Sequence, residues 1–260
     1  MSTEPRVYAI VPAAGRGRRV AGLRWRKDLY PIGWEEVLVD GVPCQRPRVV
    51  GAYLLDGMVA AGAERLFLVV GDSGDVMRHF GPEYGGVPIA YLYQEELRGG
   101  AFAIDLARAW LAPEHTVLFG FPDTIVEPPD AFTHLLADHR RADADLTLGL
   151  FPTDRPSAFG MVRLEGDRPV ELIDKPAETD LRLMWGMAAW GPRVTALQPA
   201  LLAAAPAGRE AVPGDIFNLA IAAGLRVGGH IFEDGHYLDV GTPAELNRAV
   251  RRYGMEIARR

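Results

Sequence analysis

Short apolar runs alternate with helical patterns through most of the first half of the chain, and this alternation restricts the folds open to it. Val7–Val11, Arg65–Val70, Val87–Tyr93, Thr116–Phe121 and Leu146–Phe151 read as strands. Between them, Val49–Ala61, Ala101–Leu111 and Pro129–Arg141 read as helices, with Gly62 and Pro113 as stop signals and proline at the start of the third. Strands separated by helices pair in parallel, and their helices cover both faces of the sheet. After Pro152 the pattern changes. Gly160–Leu164, Pro169–Ile173 and Met184–Trp190 are short and β-like with no long helix between them, which predicts antiparallel strands. Helical patterns return at Val194–Ala205 and Ile216–Ala223, and late strands at Arg226–Phe232 and Tyr237–Val240. Thr242 followed by Glu245 predicts a capping box opening a last helix through Tyr253. No repeat or linker divides the 260 residues, so the expectation is one domain, 1–260, whose two halves are 1–150 and 151–260.

Composition excludes more than it assigns. A net charge of −6 argues against a general nucleic-acid binder, because phosphate backbones select basic surfaces. Cys44 is the only cysteine, so neither an intrachain disulfide nor a thiolate metal cluster can form. No apolar run approaches the ~20 residues of a membrane span, and the first residues lack a signal-peptide pattern, so a cytoplasmic location is expected. The six histidines show no metal-ligand spacing, and Ser73 and Cys44 have no evident histidine partner for nucleophilic catalysis.

Chemistry concentrates where strands end. The first strand runs into Ala13-Ala14-Gly15-Arg16-Gly17-Arg18-Arg19, a turn of small residues and arginines whose backbone N–H groups suit a polyphosphate. Arg26-Lys27-Asp28 adds cations shortly after. Gln94 follows the strand ending at Tyr93, and Asp123 follows Phe121-Pro122. Asp174-Lys175 follows Ile173, and Asp239 lies in Leu238-Asp239-Val240-Gly241-Thr242. In open α/β sheets ligands sit at the carboxyl ends of the strands. Asp123 and Asp239 match what Mg²⁺ asks of a protein, one or two carboxylates beside phosphate oxygens and water. Plainer readings compete: a solvated arginine turn, a turn aspartate at Asp123, a solvated strand end at Gln94-Glu95-Glu96, a surface ion pair at Asp174-Lys175, a strand bulge at Gly186 and core packing for Trp185 and Trp190.

In one order the chain carries Ala14-Gly15-x-Gly17-x-Arg19, then Lys27-x-x-x-Pro31, Gln94 before the Gly99-Gly100 helix start, Pro122-Asp123, Phe159-Gly160, Asp174-Lys175-Pro176 and Leu238-Asp239-x-Gly241-Thr242. This set resembles the sugar-1-phosphate nucleotidyltransferases, over almost the whole chain. The resemblance implies a Rossmann-like α/β fold of the GT-A-like kind: a mixed, mainly parallel sheet flanked by helices, with a small antiparallel substrate-binding subregion. It implies transfer of a nucleoside monophosphate from a dTTP- or UTP-like triphosphate to a sugar-1-phosphate, releasing pyrophosphate. Ala14, Gly15, Gly17, Gln94 and Gly99 would bind the nucleotide. Arg19, Lys27 and Lys175 would act on the phosphates, Asp123 and Asp239 would hold Mg²⁺, and Gly160, Asp174, Trp185 and Gly186 would bind the sugar. The first half would then be the nucleotide half and the second the sugar-phosphate half, in a monomer or a homo-oligomer.

The chain also departs from that pattern. Arg16 and Arg18 make the first turn more cationic, Pro122 and Thr124 flank Asp123, Asp174 stands where glutamate is usual, and Trp34–Arg46 lengthens a turn. These departures keep two alternatives in view. One is cytidylyl transfer to an amino-alcohol phosphate, with Trp34, Trp185 and Glu35-Glu36 holding a cationic group. The other is a binding module without turnover. A dinucleotide dehydrogenase is a poorer match, since Val20 stands where Gly-x-Gly-x-x-Gly needs its last glycine.

Overall fold

A computed structural model describes residues 4–15, 26–72, 74–205 and 210–254. Strand β1 (Arg6–Ala13) precedes a hairpin of β2 (Pro31–Val39) and β3 (Val42–Val49). Helix α1 (Val50–Ala60), β4 (Arg65–Val70), α2 (Asp75–Phe80), β5 (Glu83–Tyr84) and β6 (Val87–Tyr93) follow. Then come α3 (Gly100–Arg108), β7 (His115–Gly120), β8 (Thr124–Glu127), α4 (Ala131–Arg141) and β9 (Leu146–Pro152). The second half adds β10 (Gly160–Glu165), β11 (Arg168–Asp174), β12 (Leu183–Trp190), α5 (Pro192–Thr195) and α6 (Gln198–Ala204). It closes with α7 (Pro213–Ala222), β13 (Val227–Ile231), β14 (His236–Asp239) and α8 (Pro243–Tyr253).

The expected parallel sheet forms from β6, β4, β1 and β7 in that spatial order. Strand β12 joins β7 antiparallel and continues the sheet through β9 to β13. The hairpin β10–β11 attaches beside the start of β12, so the antiparallel region expected after Pro152 extends the same sheet. Alternate residues of β1 face opposite sides, as the two-residue period of a strand requires. Val7, Ala9 and Val11 pack with Leu54, Leu55 and Met58 of α1 and with Phe132 and Leu135 of α4. Tyr8 and Ile10 pack on the other face with Ile104 of α3 and Phe217 of α7. Trp190 is core, 1% exposed, and its indole N–H donates to Thr195 Oγ1.

Three expectations need correction. The segment Val194–Ala205 is two helices, not one. Pro199 in its middle lacks an N–H and would collide with the carbonyl four residues back, so the helix restarts at Gln198. The capping box at Thr242 is half made. Thr242 Oγ1 accepts the Glu245 N–H at 3.3 Å, but the Glu245 carboxylate turns to Arg155. Trp34–Arg46 is a two-stranded hairpin, turning at Asp40-Gly41 with φ of 53° and 80°. Asp-Gly between Val39 and Val42 is the sequence pattern of such a two-residue turn.

A third, smaller core decides the site. Ile32, Val50, Ile125, Leu238, Val240, Leu246 and Ala249 pack together. They join the segment after Lys27, the start of α1, the antiparallel pair β8–β14 and helix α8.

Candidate active site

The site starts at the carboxyl end of β1. Ala14 is buried there, and Gly71 at the end of β4 lies against it: a Cβ on Gly71 would come 3.2 Å from the Ala14 carbonyl oxygen. Gln94 ends β6, with its N–H donated to the Val70 carbonyl and its side-chain Nε2 to the Gly99 carbonyl at 3.4 Å. Gly99 has φ of 114°, and a Cβ there would lie 2.4 Å from the Ala211 carbonyl oxygen, so only glycine fits. Ala14, Gly15, Gln94 and Gly99 thus follow the ends of β1 and β6, on either side of β4. Gly17 and Arg19 lie outside the described residues, as do Arg16, Arg18 and Val20.

Arg26 returns to this edge. Its guanidinium donates to the Ala13 carbonyl and clasps Asp28 through Nε at 3.0 Å and Nη2 at 2.8 Å. Burial pushes the Asp28 carboxyl up, while the Arg26 hydrogen bond and charge pull it down. The next residue, Lys27, forms an ion pair with Asp123. This meeting depends on Gly51 in α1, since a Cβ there would lie 3.1 Å from the Asp28 carbonyl oxygen and 3.6 Å from that of Pro122.

Asp123 and Asp239 come together through β8 and β14. Thr124 is the register partner of Asp239, and the Val240 N–H donates to the Asp123 carbonyl at 2.9 Å. Asp239 Oδ1 accepts the Gly241 N–H at 2.6 Å, which fixes that carboxylate in a turn before α8. The pair fits a divalent cation by its chemistry, and the Lys27 ammonium shows a positive charge already accepted at Asp123. Among the described residues no group of three or more His, Cys, Asp or Glu side chains is arranged for a metal. An ion here would therefore lean on two carboxylates, with phosphate oxygens and water completing its shell.

Asp123 and Asp239 line a cavity of about 460 Å³ with Gly160, Asp174, Lys175 and Trp185. Gly160 stands opposite Asp174 in the β10–β11 register, and a Cβ on Gly160 would lie 2.4 Å from Trp185 Nε1. Lys175 is held at φ of 45°, unusual for a residue with a side chain, and its N–H donates to the Phe159 carbonyl at 3.0 Å. Phe121, Phe159 and Tyr237 form aromatic walls. Burial raises the Tyr237 phenol well above its ordinary range, and the Asp239 and Asp123 charges push the same way, so it stays protonated. The first turn of α7, Pro213 to Asp215, closes the far side together with Asn218.

One residue expected at the acceptor sits elsewhere. Gly186 does not line the cavity. It lies at a register shift in β12, and a Cβ there would strike the Tyr237 ring at 2.3 Å, so glycine makes room for Tyr237. Gln94, expected at the nucleotide with Gly99, is buried beside Gly99. Trp34 and Trp185 do not share a cage. Trp34 borders a larger cavity of about 1240 Å³ near Glu127, Arg252 and Tyr253. Sequence reasoning gave no role to Tyr237, and it met Phe159 only in the Phe159-Gly160 motif and Thr124 only as a neighbour of Asp123. Tyr237 could have been found from strand periodicity, since it stands two residues before Asp239 on the same face.

A model of the nucleotidyl transferase family matches residues 42–255. The UTP–glucose-1-phosphate uridylyltransferase AglF of Haloferax volcanii is 30% identical over 250 residues, covering 95% of this chain and 96% of that protein. The bifunctional protein GlmU of Syntrophomonas wolfei is 27% identical over 157 residues, which are 60% of this chain and 31% of that longer protein. A crystal structure from Bacillus anthracis, assigned as a glucose-1-phosphate thymidylyltransferase in complex with a sucrose, superposes with a TM-score of 0.79. It covers 95% of each chain at 20% identity and so speaks to the fold, a mainly parallel sheet with flanking helices.

Proposed function

This chain belongs to the nucleotidyl transferase family, and on that premise we propose that it joins a nucleoside triphosphate to a sugar-1-phosphate, giving a nucleotide-sugar and pyrophosphate. The observation that carries this reading is the cavity of about 460 Å³ that Asp123, Asp239 and Lys175 line together, a size that suits a phosphorylated sugar. In this reading the triphosphate lies along the Ala14-Gly15 turn, with Gly17 and Arg19 beyond it, and its base meets Gln94 and Gly99. The acceptor lies over Gly160, with Asp174 and the Trp185 indole N–H toward its hydroxyls and Lys175 on its phosphate. Gly186 contributes indirectly, by seating Tyr237.

A phosphate oxygen of the acceptor attacks the α-phosphorus in line. A new P–O bond forms, the bond to the bridging oxygen of the β-phosphate breaks, and pyrophosphate leaves with the electron pair. No covalent enzyme intermediate is needed, so the work is positioning and charge neutralisation. Asp123 and Asp239 would hold Mg²⁺, which when bound supplies positive charge to the phosphates. Lys27 leaves Asp123 for the phosphates of the triphosphate, while Lys175 neutralises the attacking group. The buried, protonated Tyr237 keeps the cavity wall uncharged beside the two carboxylates.

The division into a nucleotide half, 1–150, and a sugar-phosphate half, 151–260, is part of this proposal. Asp123 bridges it, being in the first half and lining the acceptor cavity. We assign the reaction to the cytoplasm: the lone Cys44 suits a reducing compartment, and no helix among the described residues is long and apolar enough to cross a membrane. A matrix of common nucleoside triphosphates against sugar-1-phosphates and amino-alcohol phosphates, read by pyrophosphate release with Mg²⁺, tests the reading. Turnover is expected with sugar-1-phosphates. Turnover only with amino-alcohol phosphates, or none at all, would overturn it.

A further inference from the structure

The segment between β9 and β10 carries Arg155, whose guanidinium reaches the first turn of α8. There it grips Glu245 with two prongs, Nη1 to Oε1 at 2.6 Å and Nη2 to Oε2 at 2.8 Å. The Glu245 side chain is 5% exposed and the Arg155 side chain 33%. Taking such a pair out of water offsets much of its attraction, so a buried ion pair is weak evidence for a stabilising role. Arg155 Nε, moreover, is buried with no hydrogen-bond partner among the described residues, Asp154 Oδ1 lying 3.7 Å away.

Geometry gives the pair another task. On the Arg155 side, the guanidinium lies 5.4 Å from the centre of the Phe159 ring. Phe159 stands edge-on to Tyr237 at 5.9 Å, and its carbonyl accepts the Lys175 N–H. A left-handed backbone at a residue such as Lys175 is strained and persists only where the surroundings impose it. On the Glu245 side, the backbone N–H is held by Thr242, three residues beyond Asp239 in the same turn. One ion pair therefore connects the segment that seats Lys175 to the turn that seats Asp239.

We propose that Arg155 and Glu245 are positioning residues, a strap that holds Phe159 and through it Lys175 at a fixed distance from the Asp123–Asp239 carboxylates. Neither touches the reacting atoms. The proposal rests on the nucleotidyl-transfer reading and adds how its acceptor side is held. Breaking the strap loosens the acceptor phosphate while leaving the triphosphate turn on β1 alone.

The test uses the full chain with UTP and glucose-1-phosphate as probes, each varied in turn while pyrophosphate release is followed. Glu245→Gln and Arg155→Met are each expected to raise KM for glucose-1-phosphate on the order of tenfold, because a small misplacement of a positioning group is costly. KM for UTP stays where it is in the wild type. The double variant is no worse than the worse single one, since the strap breaks only once. Arg155→Lys, which keeps a charge near Phe159 but loses the two-pronged grip, falls between. An unchanged KM for glucose-1-phosphate in both single variants overturns the proposal, as does a parallel rise for both substrates. Loss of folding in Arg155→Lys and Glu245→Gln also overturns it, because the pair would then be a folding element. An inactive wild type overturns the reading of function together with the strap, whereas an active wild type with unaffected variants overturns the strap alone.

Discussion

The two ends of the β8–β14 ribbon present carboxylates to two different cavities. At one end Asp123 and Asp239 face about 460 Å³ lined by Lys175, Trp185 and Tyr237. At the other, Glu127 faces about 1240 Å³. There Glu127 is tied down by Arg252, whose Nε donates at 2.8 Å, and by the Tyr253 hydroxyl, with His236 at 3.6 Å. Among the described residues the Asp123 carboxylate pairs with Lys27, which the proposed reaction would turn to phosphate. The larger hollow thus contains a carboxylate held by an arginine and a tyrosine of its own fold, whereas in the proposed reaction the Asp123 carboxylate of the smaller one exchanges its lysine for a metal ion. What separates a reaction site from a structural ion pair here is the commitment of the partners, not the volume.

Four substitutions put that contrast under load. Asp123→Asn is expected to cut pyrophosphate release by about 10³-fold, the rate equivalent of several kcal/mol of lost charge stabilisation. Its melting temperature should stay near that of the wild type. Retained turnover with Mg²⁺ would erase the distinction between the two ends. Lys175→Ala is expected to raise KM for the sugar phosphate roughly tenfold to a hundredfold, the equivalent of losing one hydrogen bond to a charged group. Binding calorimetry should show the triphosphate little affected, and equal losses for both ligands would move Lys175 out of the acceptor side. Gly160→Ala sets a methyl 2.4 Å from Trp185 Nε1 and so drives the indole into the acceptor space. A rise of about tenfold in sugar-phosphate KM is expected, in line with a small displacement of a binding group. At the wide end, Glu127→Gln is expected to lower stability by about 1 kcal/mol in urea melts and to change turnover by no more than about twofold. Collapse of activity in that variant would make the wide end part of the reaction site.

The parallel core was legible because its residues leave little choice. Arg65–Val70 and Val87–Tyr93 are apolar runs bounded by turn signals, and both form strands over those residues. The family was legible as well, since strand-end motifs in a fixed order survive even where each one is weak. Three features were hidden for different reasons. The hairpin Pro31–Val49 carries three prolines and two glycines, which mask the Asp40-Gly41 turn signal between its strands. The Phe159–Tyr237 wall was hidden because Phe159 entered only as part of the Phe159-Gly160 motif and Tyr237 only as the start of a late strand. Nothing in the local sequence states that Gly186 will yield its space to Tyr237, 51 positions away by number, since that is a matter of sheet packing. The partner of Glu245 was equally invisible. A capping box is a local rule, and a long-range arginine displaced one half of it.

The central claim is that Asp123 and Asp239 act together on one divalent ion beside a bound triphosphate. A crystal soaked with manganese and a non-hydrolysable triphosphate addresses it directly through the anomalous signal of the metal. The account predicts one peak at about 2.1 Å from an oxygen of each aspartate, with Lys27 turned from Asp123 to phosphate. A peak held by only one of the two carboxylates, or found at the Glu127 end of the ribbon, would contradict it.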